Sequence, residues 1–284
     1  MANTIDIRRR IRSVKNTQQI TKAMKMVSAA KLRRAQDRMF AARPYAAALR
    51  EVLSSVATRV AELEHPLLET REENKVLLLV VSSDKGLAGA FNANVIKAAM
   101  SAIHEHNWTS VELLPIGKKA NDFFRRRTIP IRREATQVFQ ALSLETAREI
   151  ATSISEDFTA GRVDAVYVAY NEFKSVIAQT VRVERLLPIE RAWDEVTTAI
   201  EYLYEPSPER ILSELLPKHI EFQLYRALLE SAAAEQGARM AAMEAATKNA
   251  KDMIDHLTLT YNRIRQASIT KEIIEIVSGA AAAG

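Results

Sequence analysis

The sequence predicts an α/β fold: a long antiparallel coiled coil formed by the N- and C-terminal helices, with a central Rossmann-like α/β domain between them. Three observations carry this. Residues 218–278 contain no proline and one glycine, Gly237, and are dense in Ala, Glu, Met, Lys, Leu and Arg. Near the start of the chain, apolar residues again recur at steps of three and four, with no glycine before Gly86. Between these regions, apolar runs fit for strands alternate with helical stretches.

The C-terminal stretch reads as one helix. At ~1.5 Å of rise per residue it would reach roughly 90 Å, whereas a compact globule of this length has a radius of gyration of about 19 Å. Such a helix has to leave the domain that carries it and find a partner. Its seam runs Phe222, Tyr225, Leu229, Ala232, Gln236, Met240, Met243, Thr247, Ala250, Ile254, Leu257, Tyr261 and Ile264. The partner is predicted at the other end, where Leu32, Ala35, Met39, Ala42, Ala46, Leu49, Leu53, Val56, Val60 and Leu63 step by three and four. Pro44 falls between seam positions, so a kink or short break is expected there. Two helices of an ordinary bundle are the alternative, disfavoured because bundle helices seldom exceed about 20 residues.

In the middle, residues 76–81 form a continuous apolar run suited to a buried strand. A loop over 82–89 and a helix over 91–106 follow. A second strand over 111–116 leads through Gly117 into a short helix; a helix over 144–158, a strand over 165–169 and a hairpin strand over 176–187 complete the domain. The expected division is residues 1–65 as the N-terminal helix, 66–200 as the α/β domain, and 201–284 as a foot segment and C-terminal helix.

Composition narrows the function. Zero cysteines exclude a disulfide scaffold and thiolate chemistry. The five histidines are scattered, and His104 and His106 lie two apart on a predicted helix, so no metal site is expected. No stretch approaches the ~20 apolar residues of a membrane span and no signal peptide is visible, which predicts a soluble intracellular protein. Ser82 and Ser83 lack an identifiable base, and Asp84, Asp157 and Asp164 have no second catalytic group at a telling spacing. No active site and no cofactor are predicted. Gly86 and Gly89 fit a tight strand-to-helix turn better than a phosphate loop, since neither glycine-rich fingerprint is present.

Charge is uneven. Residues 1–50 hold thirteen Lys and Arg against Asp6 and Asp37, while the whole chain carries +5. A basic arm of this kind serves nucleic acid, anionic lipid or an acidic protein surface, or is merely solvated. Upstream of Leu32 the in-phase positions become Gln18, Thr21, Lys25 and Ser28, and the apolar residues slip to Ile20, Met24 and Val27. The seam is therefore expected to change face there, freeing a basic and apolar surface for something else. A nucleic-acid-binding coiled coil and a simple coiled-coil scaffold remain alternatives, although no aromatic precedes Phe40 to stack on bases.

Particular segments are sharper. SVKNTQQITKAMKMVSAAK at 13–31 and ASITKEIIEIVSGA at 267–280 closely resemble the terminal signatures of the gamma subunit of F-type ATP synthases. VVSSDKGLAG at 80–89 and YLYEP at 202–206 are similar to its central and foot motifs. The resemblance implies a non-catalytic central rotor stalk inside a ring of three alpha and three beta subunits. It also implies contacts with the epsilon subunit and the membrane c ring, indirect membrane association through that ring, and no nucleic acid. The implied location is the cytoplasmic face of the bacterial plasma membrane, with ATP chemistry left to beta. Met24 and Lys25 match the family's contact with an acidic lever on beta; Arg239, Gln266 and Thr270 match contacts to its catch loops. Tyr202, Tyr204 and Glu205 match the foot on the c ring. Ile273, Ile274, Ile276 and Val277 match the apolar tip held in the hexamer's collar. The plant-type insertion with paired cysteines is absent, which implies a bacterial enzyme without thiol control.

Overall fold

Six successive apolar residues after Lys75 have no polar face to show water, and in the computed structural model they become the central strand β1 (Lys75–Val81), buried on both sides. The structure describes residues 4–57, 65–106, 108–176, 178–190 and 207–283. In order they form α1 (Thr4–Ala57), β1, α2 (Phe91–Glu105), β2 (Ser110–Ile116), α3 (Lys118–Phe124), α4 (Leu144–Thr159), β3 (Ala165–Phe173), β4 (Gln179–Leu187) and α5 (Pro208–Ala283). The sheet order is β2-β1-β3-β4. β1 pairs in parallel with both β2 and β3, and β4 closes the far edge antiparallel to β3.

The chain divides into two compact units, Ala29–Arg239, and Met1–Ser28 with Met240–Gly284. The larger unit holds the sheet in three layers. Val76, Leu78 and Val80 join Val95 and Ala99 of α2 and Ala120 and Phe124 of α3 on one face. Leu77, Leu79 and Val81 face the other way, into a core shared with Ile154 and Phe158 of α4, Leu53 and Val56 of α1, and Leu216, Ile220 and Leu228 of α5. Period-two alternation of one strand thus feeds two cores. At roughly 25 cal/mol per Å² of apolar surface removed from water, this double burial is the main force ordering the unit.

Several expectations need correction. The hairpin strand begins at Gln179, not 176, because the turn is closed by the Ser175 N–H donating to the Ala178 carbonyl at 3.0 Å. α1 runs through Pro44 without interruption. The neighbouring Ala42 and Ala46 pack against the larger core and the Tyr45 ring lies 5.1 Å from Phe222 of α5, so tertiary packing offsets the lost helical hydrogen bond. Val60 and Leu63 lie outside the described residues.

In the smaller unit the seam does not change face. Thr21 and Ser28 are buried at 8% and 2% exposure, while Ile20 and Val27 stand 59% and 56% exposed. Ile7 continues the same stripe, in step with Thr21 and Ser28. The register is kept by polar pairing: the Thr21 and Thr247 hydroxyls hydrogen-bond at 2.8 Å. Arg8 donates to the Tyr261 hydroxyl at 2.5 Å and Lys25 pairs with Glu244 at 2.7 Å. Partner numbers fall as α1 numbers rise, so the helices run antiparallel.

Candidate functional site

The sequence-predicted site residues that the structure describes fall on two exposed helical surfaces and one buried ion pair. Among the described residues no group of His, Cys, Asp and Glu is placed to hold a metal ion. No described helix is long and apolar enough to cross a membrane.

In the smaller unit, the hydrogen-bonded polar seam turns the off-phase side chains of α1 outward. Ile20, Met26 and Val27 are large, apolar and exposed, and they share the helix with exposed Arg9, Arg10, Arg12, Lys15 and Lys22. Met24 is half-buried. Lys25 is not free: its ammonium holds Glu244 with side-chain exposures of 38% and 63%, an interaction worth at most about 1 kcal/mol in that setting. Toward its end α5 carries the second surface. Every residue from Arg265 to Ser278 is exposed, and Ile269, Ile273, Ile274, Ile276 and Val277 are all uncovered. Five exposed large aliphatics within nine residues of one helix make this a candidate protein-contact surface. Gln266 and Thr270 lie one turn apart on this stretch, the Thr270 hydroxyl donating to the Gln266 carbonyl at 2.9 Å.

Arg239 sits elsewhere, in the larger unit. It is 8% exposed and donates to Glu235 at 2.6 Å and to the carbonyl oxygens of Gly86 and Lys85 at 3.2 and 3.4 Å. This ties α5 to the loop after β1. Burial pushes the Glu235 carboxyl above its usual range, and Arg239 opposes the shift. Arg239 thus belongs to the larger unit, and Gln266, Thr270, Met24 and Lys25 to the smaller. Tyr202, Tyr204 and Glu205 lie outside the described residues.

The loop is tied to its neighbours, while Asp84 Oδ2 is buried without a hydrogen-bond partner among the described residues. The Ser83 N–H donates to Asn92 Oδ1 at 2.9 Å, and the Ser82 hydroxyl accepts from the Ala120 N–H at 2.8 Å. Asp84, which reads as an isolated acid in the sequence, accepts through Oδ1 from the backbone N–H groups of Lys118 and Gln137 at 3.1 and 3.0 Å. No local signal marked that role, since both donors are more than thirty residues away. Glu235 was equally missed, although its i,i+4 spacing from Arg239 is the signal that finds it.

A protein-family model described as ATP synthase matches residues 3–283. The chain is 54% identical over 282 residues to the ATP synthase gamma chain of Chlorobaculum tepidum, covering 97% of each. It is 55% identical over 287 residues to that of Solibacter usitatus, covering 100% of each. Among solved structures, a chain of the central stalk and c ring of Tetrahymena thermophila mitochondrial ATP synthase aligns with TM-score 0.62 at 31% identity, covering 80% of this chain and 99% of that one. A chain of the Euglena gracilis mitochondrial enzyme aligns with TM-score 0.67 at 21% identity, covering 98% and 94%, and supports the fold.

Proposed function

Because this chain belongs to the ATP synthase gamma chain family, we propose that it is the turning shaft of a proton-translocating F-type enzyme, carrying rotation of a membrane c ring to the nucleotide sites of three beta subunits. Its family makes it a non-catalytic subunit of the central stalk. The observation that carries the mechanical reading is the uncovered apolar end of α5, which no described residue of its own unit covers and which is suited to a hydrophobic collar. Ile273, Ile274, Ile276 and Val277 form the tip in that collar. Met24 and Lys25, beside exposed Ile20 and Val27, meet an acidic lever of beta. Gln266 and Thr270 contact beta catch loops; Arg239 joins them only if the Glu235 pair and the loop contact open. Tyr202, Tyr204 and Glu205 form the foot on the c ring, with the epsilon subunit alongside. On this reading residues 1–65, 66–200 and 201–284 are, in turn, the ascending helix, the domain near the ring, and the foot with the returning helix. The chain lies at the cytoplasmic face of a bacterial plasma membrane, peripheral and held through the ring.

The mechanism follows from rigidity and asymmetry. A beta site responds only to a contact that differs between rotational angles, because equal contact at every angle shifts no equilibrium. Two helices of different sequence give the shaft different faces: basic and apolar on α1, aliphatic on the end of α5. The test is reconstitution. Vesicles containing the complete enzyme from the same source, purified with and without this chain, are assayed for ATP-driven proton pumping. Pumping that needs the chain supports the proposal; equal pumping without it overturns it.

A further inference from the structure

A cavity of about 480 Å³ opens in the larger unit beside the carboxyl end of β1. Its walls are α1, α5, the loop after β1 and the segment just before α4. Both β2 and β3 lie parallel to β1 on opposite sides, so the chain reverses its direction of travel across the sheet at β1. The crevice beyond the carboxyl ends of strands at such a reversal is where open α/β sheets take ligands.

The charges are specific. Lys31, Arg34 and Arg38 come from one face of α1, three and four residues apart, and Lys85 from the loop. Arg239 is consumed by Glu235, whose carboxylate Lys31 also stabilises. Arg34, Arg38 and Lys85 make no ion pair among the described residues, and Asp84 is the one further acid on the walls. Five basic side chains against Asp84 and Glu235 thus leave three positive charges in a space that also has an apolar side of Phe139, Leu142 and Leu229.

The walls are held in place. Asp84 fastens the loop to Gln137, and Arg239 fastens it to α5. Gln137 and Leu87 are the two non-glycine residues with positive φ among those described, at 64° and 62°, and both flank the cavity in chain order, next to Val138–Gln140 and Lys85. Backbone strain of about 1–3 kcal/mol at each is retained only where the surroundings impose it, and such strain gathers at ligand sites. Strain at both loops on one cavity fits a binding site better than a solvated crease. Residues 82–89 carry no P-loop fingerprint, so recognition here is by side chains.

We propose that this cavity binds a small soluble anion bearing two or more phosphate groups, held by Arg34, Arg38 and Lys85, with room for a compact apolar or aromatic body against Phe139 and Leu142. Arginine supplies paired N–H donors that match phosphate oxygens, and lysine a third, point-like charge. Inorganic pyrophosphate and nucleoside diphosphates share this chemistry.

The test is isothermal titration of the full chain with sodium pyrophosphate, and separately with ADP, both without divalent metal and at two salt concentrations. The expected result is saturable one-to-one binding of pyrophosphate that weakens with salt. It should fall about tenfold or more in Arg34→Ala/Arg38→Ala and stay unchanged in Lys97→Ala, on α2 away from the cavity. Both variants replace exposed helical residues by a strong helix former, and circular dichroism melts check that each folds. ADP that displaces pyrophosphate points to a nucleotide as the natural ligand; pyrophosphate that resists ADP points to a free phosphate compound. No saturable binding of pyrophosphate at millimolar concentration, or equal loss in Lys97→Ala, overturns the site.

Discussion

Lys25 Nζ lies 2.7 Å from Glu244 Oε1, so the lysine that the family pattern assigns to a beta lever already has an acid in its own chain. Both groups are well exposed, which makes the pair cheap to exchange: about 0–1 kcal/mol separates paired from unpaired. A lever carboxylate in a less solvated contact can compete for the lysine. On the proposed function, the intrachain pair is a resting partner from which a lever would take Lys25 at particular rotational angles.

Lys25→Glu should therefore leave assembly intact and lower protons pumped per ATP hydrolysed, since repulsion at a partly buried interface costs several kcal/mol. Lys97→Glu should leave the ratio unchanged. The exchange Lys25→Glu/Glu244→Lys restores the internal pair but not attraction to an acidic lever. Pumping by this double variant should stay as low as in the single one; recovery to the wild-type ratio would show that the internal pair alone matters.

The Thr21–Thr247 pair gives a second expectation. Each hydroxyl also lies within hydrogen-bond distance of a carbonyl of its own helix, Thr21 of Gln18 and Thr247 of Met243; with one proton apiece, one hydroxyl donates across the pair and the other to its own helix. Thr247→Val alone removes one side of a half-buried hydrogen bond and should cost about 1 kcal/mol. Thr21→Val/Thr247→Val replaces the pair by apolar groups of the same shape and should recover that loss or exceed it. Denaturant unfolding of the four-member cycle measures the coupling; additive losses would mean that the two hydroxyls do not act as a pair.

The same residues explain what the sequence could and could not reveal. The strand and helix positions were legible because apolar periodicity of two and of three-four has one structural meaning each, and Leu77 and Val76 prove it by facing different cores. The phase slip at Ile20, Met24 and Val27 was misread because it assumes that seams are apolar. Thr21 satisfies its hydroxyl within the helix pair and Ser28 is small enough to be buried, so the register is kept and the apolar residues are left outside. The positions of Gln266, Thr270 and the Ile273–Val277 stretch were visible as helix, yet Arg239 reads the same way and is buried. Its fate depends on the carbonyl groups of Lys85 and Gly86, more than 150 residues away, which no local pattern encodes.

Gly117 shows a position where sequence spacing and geometry agree. It joins β2 to α3 at φ 94°, and a Cβ there would overlap the Ser82 carbonyl. Gly117→Ala faces both the left-handed backbone cost and a clash with main chain, which has little freedom to shift because Ser82 is hydrogen-bonded to Ile116 and Ala120. The expected loss is about 3 kcal/mol or more, well above the 1 kcal/mol of an average substitution. Gly161→Ala, also at positive φ but with open space around it, should cost clearly less. Comparable melting temperatures for the two variants would show that the Ser82 contact is not the constraint.

The buried pair of Glu235 and Arg239 yields a pH-dependent prediction. Desolvation raises the folded-state pKa of Glu235 above the ordinary 4.5, and Arg239 pulls it back. A carboxyl with a raised folded pKa binds more protons folded than unfolded, so its effect on stability is most favourable below the unfolded value and worsens as pH rises through the folded one. Arg239→Ala removes the opposing charge, so the folded pKa climbs further and the window of loss extends upward. The variant should lose about 3–5 kcal/mol at pH 8, where an unpaired carboxylate is left buried, and distinctly less at pH 5, where the carboxyl can stay protonated. Adding Glu235→Gln removes the titrating group and should make the remaining loss the same at both pH values. Denaturant unfolding of the three proteins at pH 5 and 8 decides it: a loss in Arg239→Ala that does not change with pH would mean that Glu235 is solvated and that the pair is no more than a surface contact.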